Sequence, residues 1–159
     1  MKLISEFNDN ELEVLTESKG GKKCFSIEGV FAQAEAKNRN GRYYPKAVME
    51  GAVDKYVKDQ VKQGRAVGEL NHPEGPTINL DKVSHRITAL EWKGNNVIGR
   101  ATILGTPMGE VVKGLLEGGV RLGVSTRGMG SLEQRESAMY VKDDFVLSTV
   151  DIVQDPSAH

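Results

Sequence analysis

Only two stretches of this 159-residue chain carry a helical repeat of apolar residues, and most other apolar residues sit in short strand-like runs. In the first stretch Val48, Met49, Ala52, Val53, Tyr56, Val57 and Val61 recur at three- and four-residue spacing, giving one wide apolar stripe. Pro45 suits its first turn and Gly64 its end. The second stretch starts at Thr106-Pro107, turns Met108, Val111, Val112, Leu115 and Leu116 inward, and stops at Gly118-Gly119. Each stripe needs a sheet to cover it.

Strands are expected over 24–36, with a bulge at Gly29, and over 65–70, 83–92, 96–104, 120–127 and 139–153, the last as one or two strands. Asn38-Arg39-Asn40-Gly41-Arg42 reads as a turn, and Lys93-Gly94-Asn95 joins the fourth strand to the third as a hairpin. Five to seven strands, two helices and no regular βαβ alternation predict an α+β fold, mainly antiparallel, as a sheet or barrel with helices around it. Residues 1–23 are polar and acidic and end in Ser18-Lys19-Gly20-Gly21-Lys22-Lys23, which predicts a mobile arm ahead of one domain over 24–159.

The net charge of −1 gives no electrostatic reason for a nucleic-acid groove or an anionic membrane partner. No apolar run reaches membrane-spanning length, and the N-terminus lacks the apolar core of a signal peptide. Cys24, the single cysteine, excludes an intrachain disulfide and a cysteine-based zinc cluster, and its strand-like setting reads as a small core residue. The expectation is a soluble, intracellular, single-domain protein.

The candidate chemistry lies in Gly123-Val124-Ser125-Thr126-Arg127-Gly128-Met129-Gly130-Ser131-Leu132 and in Gly68-Glu69-Leu70-Asn71-His72-Pro73. A serine between glycines can be approached closely by another backbone, as a nucleophile must be. Arg127 is too bulky for the nucleophile elbow of α/β-hydrolases, and no Gly-Lys-Ser/Thr follows to make a phosphate loop. Backbone N–H groups near Arg127 and Gly128, with the guanidinium, are the expected oxyanion donors. Of three histidines, His72 lies on an irregular loop suited to a general base. His85 is in phase with Val83, Ile87 and Ala89 and reads as a satisfied core histidine, while His159 is the last residue. No His-x-x-x-His pair favours a metal site. Asp151 interrupts an apolar strand and is the first choice to orient the base, with an edge-strand carboxylate facing water as the plain alternative and Glu69 as the other candidate.

These segments, with Ile27-Glu28-Gly29-Val30-Phe31-Ala32-Gln33-Ala34-Glu35, Asn38-Arg39-Asn40-Gly41-Arg42-Tyr43-Tyr44-Pro45, Trp92-Lys93-Gly94-Asn95-Asn96-Val97-Ile98-Gly99-Arg100 and Asp155-Pro156-Ser157-Ala158, resemble the prohead (capsid maturation) proteases of tailed bacteriophages of the large myovirus type. The resemblance runs in order from about residue 25 to the end. It implies a β-barrel of the herpesvirus-assemblin type surrounded by helices, a serine nucleophile at Ser125 and a histidine base at His72. Assemblin has a second histidine as third member. No histidine lies between Ser125 and His159 here, and Asp151 takes a similar late-strand position.

The implied activity is cofactor-free, metal-free hydrolysis of scaffold and major capsid proteins inside the prohead in the host cytoplasm, with room for a homo-oligomer. Relatives of this branch cut after a glutamate that follows a hydrophobic residue two places earlier. Ile4-Ser5-Glu6 and Leu15-Thr16-Glu17 fit that pattern, so the arm is expected to be a propeptide removed by self-cleavage before Phe7 or Ser18. Leu115-Leu116-Glu117 fits too, but inside a helix. The ending at His159, where relatives usually continue, reads as truncation or C-terminal self-cleavage. The rival expectations are a non-enzymatic capsid-assembly or scaffold-associated module on the same fold, and a hydrolase of another acyl or phosphoryl substrate.

Overall fold

The computed structural model describes residues 1–8 and 12–154. Eleven strands and two α-helices are found among them. β1 (Lys2–Asn8) and β2 (Glu13–Lys19) precede β3 (Lys22–Gln33). β4 (Arg42–Tyr43) leads into α1 (Lys46–Tyr56), which continues as a π-helical turn at Val57–Val61. β5 (Val67–Glu69) is followed by a 3-10 turn at Leu80–Lys82 and by the hairpin of β6 (Val83–Lys93) and β7 (Asn96–Ile103). Then come α2 (Pro107–Glu117), β8 (Leu122–Gly130), β9 (Leu132–Arg135), β10 (Ala138–Val141) and β11 (Val146–Gln154). No helix among the described residues is long and apolar enough to cross a membrane.

The helices form for the reasons their sequences carry. α1 buries Met49, Ala52, Val53 and Tyr56, the heart of the predicted stripe. α2 opens on Thr106, whose hydroxyl accepts the Gly109 N–H at 3.0 Å, with Pro107 in the first turn. The hairpin turns at Gly94, whose φ of +61° belongs to the left-handed region.

Three sheets result, ordered β2-β3-β7-β6-β5, β1-β8-β11 and β4-β10-β9. All pairings are antiparallel except that of β4 with β10. The five-stranded sheet and the β1-β8-β11 sheet meet where Leu70 bridges Ile152 and the Asn71 N–H donates to the Ile152 carbonyl at 2.8 Å. That junction carries the chain from β5 into the His72 loop directly beside β11. β8 lies between β1 and β11 and is buried along almost its whole length, so every polar side chain on it needs a partner.

The mainly antiparallel α+β class is as expected, but the described strands form separate sheets and no closed barrel. The bulge in β3 falls between Val30 and Ala32, while Gly29 pairs in register with Gly99. There Phe31 packs so closely that a β-carbon on Gly99 would lie 2.1 Å from its ring. Cys24 is half-buried on β3 and free. The segment expected to be a mobile arm is ordered where it is described. β1 pairs with β8, and β2 pairs with β3. The physical reason is tertiary: Ile4 enters a core built by other strands, and Glu6 finds cationic and hydroxyl partners far along the chain that outweigh the segment's polar composition.

Candidate active site

Sheet register brings the candidate side chains together. Residues directly opposite on adjacent strands share a face, and Ser125 on β8 is opposite Asp151 on β11 and Phe7 on β1. Gly68 lets β5 approach this pair of strands, since a β-carbon there would meet both His85 Nε2 and the Val150 carbonyl at 2.4 Å. Asn71 takes the left-handed conformation at φ +68°, which asparagine tolerates, and turns His72 over β8 and β11.

His72 Nε2 lies 2.7 Å from Ser125 Oγ, and His72 Nδ1 lies 2.8 Å from Asp151 Oδ2. A buried carboxylate only accepts hydrogen bonds, so Nδ1 carries a proton, and in the neutral imidazole Nε2 is then the acceptor for the Ser125 hydroxyl. Asp151 is wholly enclosed, and its four acceptor directions are filled. Oδ2 accepts His72 Nδ1–H and Arg127 Nε–H, both at 2.8 Å, and Oδ1 accepts Arg127 Nη2–H at 3.1 Å and the Glu69 N–H at 3.0 Å. Burial alone pushes the Asp151 carboxyl up, but the bonds from His72, Arg127 and the Glu69 amide together hold it below the usual carboxylate range.

Arg127 is the side chain the sequence placed differently. Its guanidinium, expected to assist the backbone N–H groups at the oxyanion, is wholly buried behind Asp151. All five of its N–H donors are taken: three by Asp151 and Glu69, and two on Nη1 by the carbonyls of Gly75 and Thr77. None is left for an oxyanion. Gly128 lies within β8, opposite both Ile4 and Leu147, and a β-carbon on it would reach the Val146 carbonyl at 2.5 Å. Its smallness is required by the close approach of β11 and Phe145. Glu69 does not touch His72; its carboxylate joins Arg127 at 3.1 Å and accepts the Asn79 backbone N–H at 3.0 Å. Arg127 and Glu69 thus tie down the part of the loop that follows His72, from Gly75 to Asn79.

His85 is the satisfied core histidine expected. Burial pushes its imidazole below the ordinary value, so it is neutral, donating from Nε2 to the Val150 carbonyl at 2.7 Å and accepting the Ser84 hydroxyl at Nδ1 at 2.8 Å. A lowered native value means that the unfolded chain binds the proton more readily. The stability His85 contributes is therefore present above about pH 6.5 and is lost as pH falls through its lowered value. Urea midpoints at pH 7.5 and pH 5.5 check this, with a lower midpoint expected at pH 5.5. His159 lies outside the described residues.

Ser125 and His72 open onto a cleft of about 400 Å³, walled by Phe7 of β1, by Arg39 and Asn40 of the turn before β4, and by Asn71. The Arg39 guanidinium lies 5.7 Å from the Phe7 ring centroid, and Phe7 itself covers Gly123. Sequence reasoning missed this wall, because Phe7 lay in the segment read as an arm and Arg39-Asn40 in a turn. The tolerance of asparagine for positive φ was the available signal for Asn71. A second, apolar cavity of about 260 Å³ lies between α2 and the sheets, lined by Ile27, Val112, Leu116, Leu122 and Ile152, away from the titratable cluster.

Residues 10–159 match the family of the prohead core protein serine protease. The prohead core protein protease of Enterobacteria phage T4 is 42% identical over 145 residues, covering 87% of this chain and 68% of that protein. The solved structure of the bacteriophage T4 capsid assembly protease, gp21, superposes with a TM-score of 0.91 at 36% identity, covering 98% of each chain. The chain belongs to the prohead core protein serine protease family and is, by that membership, a protease.

Proposed function

We propose that this chain is a serine endopeptidase of capsid maturation, cutting scaffold and capsid proteins within the prohead after a glutamate that follows a hydrophobic residue two places earlier. The observation that carries the mechanism is the unbroken chain of short hydrogen bonds Ser125 Oγ–His72 Nε2 and His72 Nδ1–Asp151 Oδ2. Ser125 Oγ attacks the peptide carbonyl carbon while His72 Nε2 takes the hydroxyl proton. Asp151 keeps the imidazole in the tautomer that can accept that proton and then faces the imidazolium. His72 passes the proton to the leaving amine as the peptide bond breaks. Water, deprotonated by His72, then hydrolyses the acyl ester and restores Ser125.

The buried charges favour this cycle. Asp151 and Glu69 against Arg127 leave one net negative charge behind His72, which the imidazolium neutralises when it forms. Membership of the family, and relatives named for the prohead core and for capsid assembly, support the setting.

Self-cleavage is part of the same proposal. Phe7 is opposite Ser125 in the β1–β8 register, so the Glu6–Phe7 peptide, which ends the Ile4-Ser5-Glu6 tripeptide, runs alongside the nucleophile. β1 also supplies a wall of the cleft, and its removal widens the site. The other matching tripeptides lie in β2 and in α2. Incubated full-length chain is expected to give a new N-terminus at Phe7 by intact-mass spectrometry, and the Ser125→Ala chain none. Wild type that cuts a hydrophobic-x-Glu peptide while never showing an N-terminus at Phe7 or Ser18 would sink the self-cleavage part.

A further inference from the structure

Glu6 is a buried carboxylate on an otherwise removable strand, and everything that satisfies it comes from one short segment of the chain. Its Oε1 is paired with Arg42 Nε and accepts the Tyr44 hydroxyl at 3.1 Å, and its Oε2 accepts Asn40 Nδ2 at 2.8 Å. Arg42 Nη2 also donates to the carbonyl of Ser5, the residue before, at 2.8 Å. A guanidinium, an amide and a phenol therefore read a carboxylate and the main chain leading to it.

This segment keeps its shape without help from β1. Asn38 Oδ1 accepts the N–H groups of Asn40 at 3.0 Å and Arg42 at 3.1 Å, and Gly41 turns the chain at φ +76°. The Asn38 N–H bonds the Arg42 carbonyl at 2.8 Å, and the Glu35 N–H bonds the Tyr44 carbonyl at 2.9 Å. Arg42 and Tyr43 are paired in addition with Met139 and Tyr140 of β10. The donors are thus organised in advance, which is what selective binding of a charged side chain requires. They also stand beside the nucleophile. Asn40 walls the Ser125 cleft, and Thr126, next to Ser125, lines the small cavity of about 60 Å³ that Glu6 and Tyr44 share.

Resting on the protease reading above, we infer that Arg42, Asn40 and Tyr44 form the specificity pocket for the glutamate on the acyl side of the scissile bond. Glu6 is that pocket's internal occupant. Once β1 leaves, three donors stand without their ligand, and a substrate glutamate replaces it. A neutral glutamine offers no charge to the guanidinium and leaves its buried amide hydrogens against further donors. Aspartate is one methylene shorter and does not span from the strand to Arg42.

The test is a ratio. The full chain, after incubation to release the arm, is assayed on two peptides that differ only in Glu or Gln before the cleaved bond. Wild type should favour Glu by on the order of 10²-fold or more in kcat/KM, as sites built around buried polar contacts do. Arg42→Gln should bring the ratio close to one, and Asn40→Ala, at an exposed position where folding is least at risk, should lower it about tenfold. Because both peptides meet the same enzyme, loss of folded protein does not move the ratio. Wild-type preference that persists in both variants overturns the pocket while leaving the protease reading intact. A wild type that cuts neither peptide overturns the reading beneath it.

Discussion

Ser125→Ala or His72→Ala is expected to lower peptide hydrolysis by about 10⁶-fold, with little further harm from the double substitution, because the proposed nucleophile and base act as one unit. The geometry makes the expectation specific. His72 has one acceptor nitrogen, and the Ser125 hydroxyl 2.7 Å away is its partner. Without the hydroxyl there is no acyl acceptor, and without the imidazole the hydroxyl keeps its proton. Asp151→Asn is expected to cost about 10⁴-fold. An amide group facing Nδ1 favours the tautomer with the proton on Nε2, where it cannot receive that of Ser125. Initial rates on a hydrophobic-x-Glu peptide measure all three, and a Ser125→Ala chain that still turns over would refute the assignment.

Arg127→Met has the second largest expected effect, and it acts on folding as well as on rate. The substitution leaves Asp151 and Glu69, both buried, without their cation. Breaking a buried ion pair from one side costs about 3–5 kcal/mol. It also releases the carbonyls of Gly75 and Thr77, which hold the far side of the His72 loop. Arg127→Lys is not expected to rescue, since one ammonium with three donors cannot satisfy five acceptor oxygens spread over two strands and a loop. Urea unfolding at pH 7 reads the first effect, and the rate per folded molecule reads the second. Unchanged stability in Arg127→Met would mean that the buried cluster is not held together as its hydrogen bonds indicate.

What could be read in the sequence follows from what is local. The α1 stripe, the capped start of α2 and the hairpin around Gly94 depend on spacing and turn chemistry over a dozen residues, and they appear where expected. Glycine and proline context singled out Ser125 and His72 as candidates, and placement in an apolar strand singled out Asp151; the structure brings the three side chains within hydrogen-bonding distance. β1 was invisible because its stability comes from distant partners. Ile4 fills a core built by other strands, and Glu6 is satisfied only by residues 34 to 38 positions away. The Arg127 guanidinium is placed away from the oxyanion for a related reason. Its neighbours in sequence suggested an anion site, whereas its partners Glu69, Gly75, Thr77 and Asp151 come from β5, the following loop and β11. A buried charge is explained by what folds around it, and that is a tertiary fact.

The most direct test of the catalytic assignment is covalent. A fluorophosphonate reacts with a serine whose hydroxyl is activated by a neighbouring base, and spares ordinary serines. Peptide mapping should find one adduct, on Ser125, in wild type both before and after incubation, and the His72→Ala chain, compared with unincubated wild type so that both retain the arm, should show none. An adduct on another serine, or undiminished labelling of Ser125 in His72→Ala, would contradict the Ser125–His72–Asp151 account.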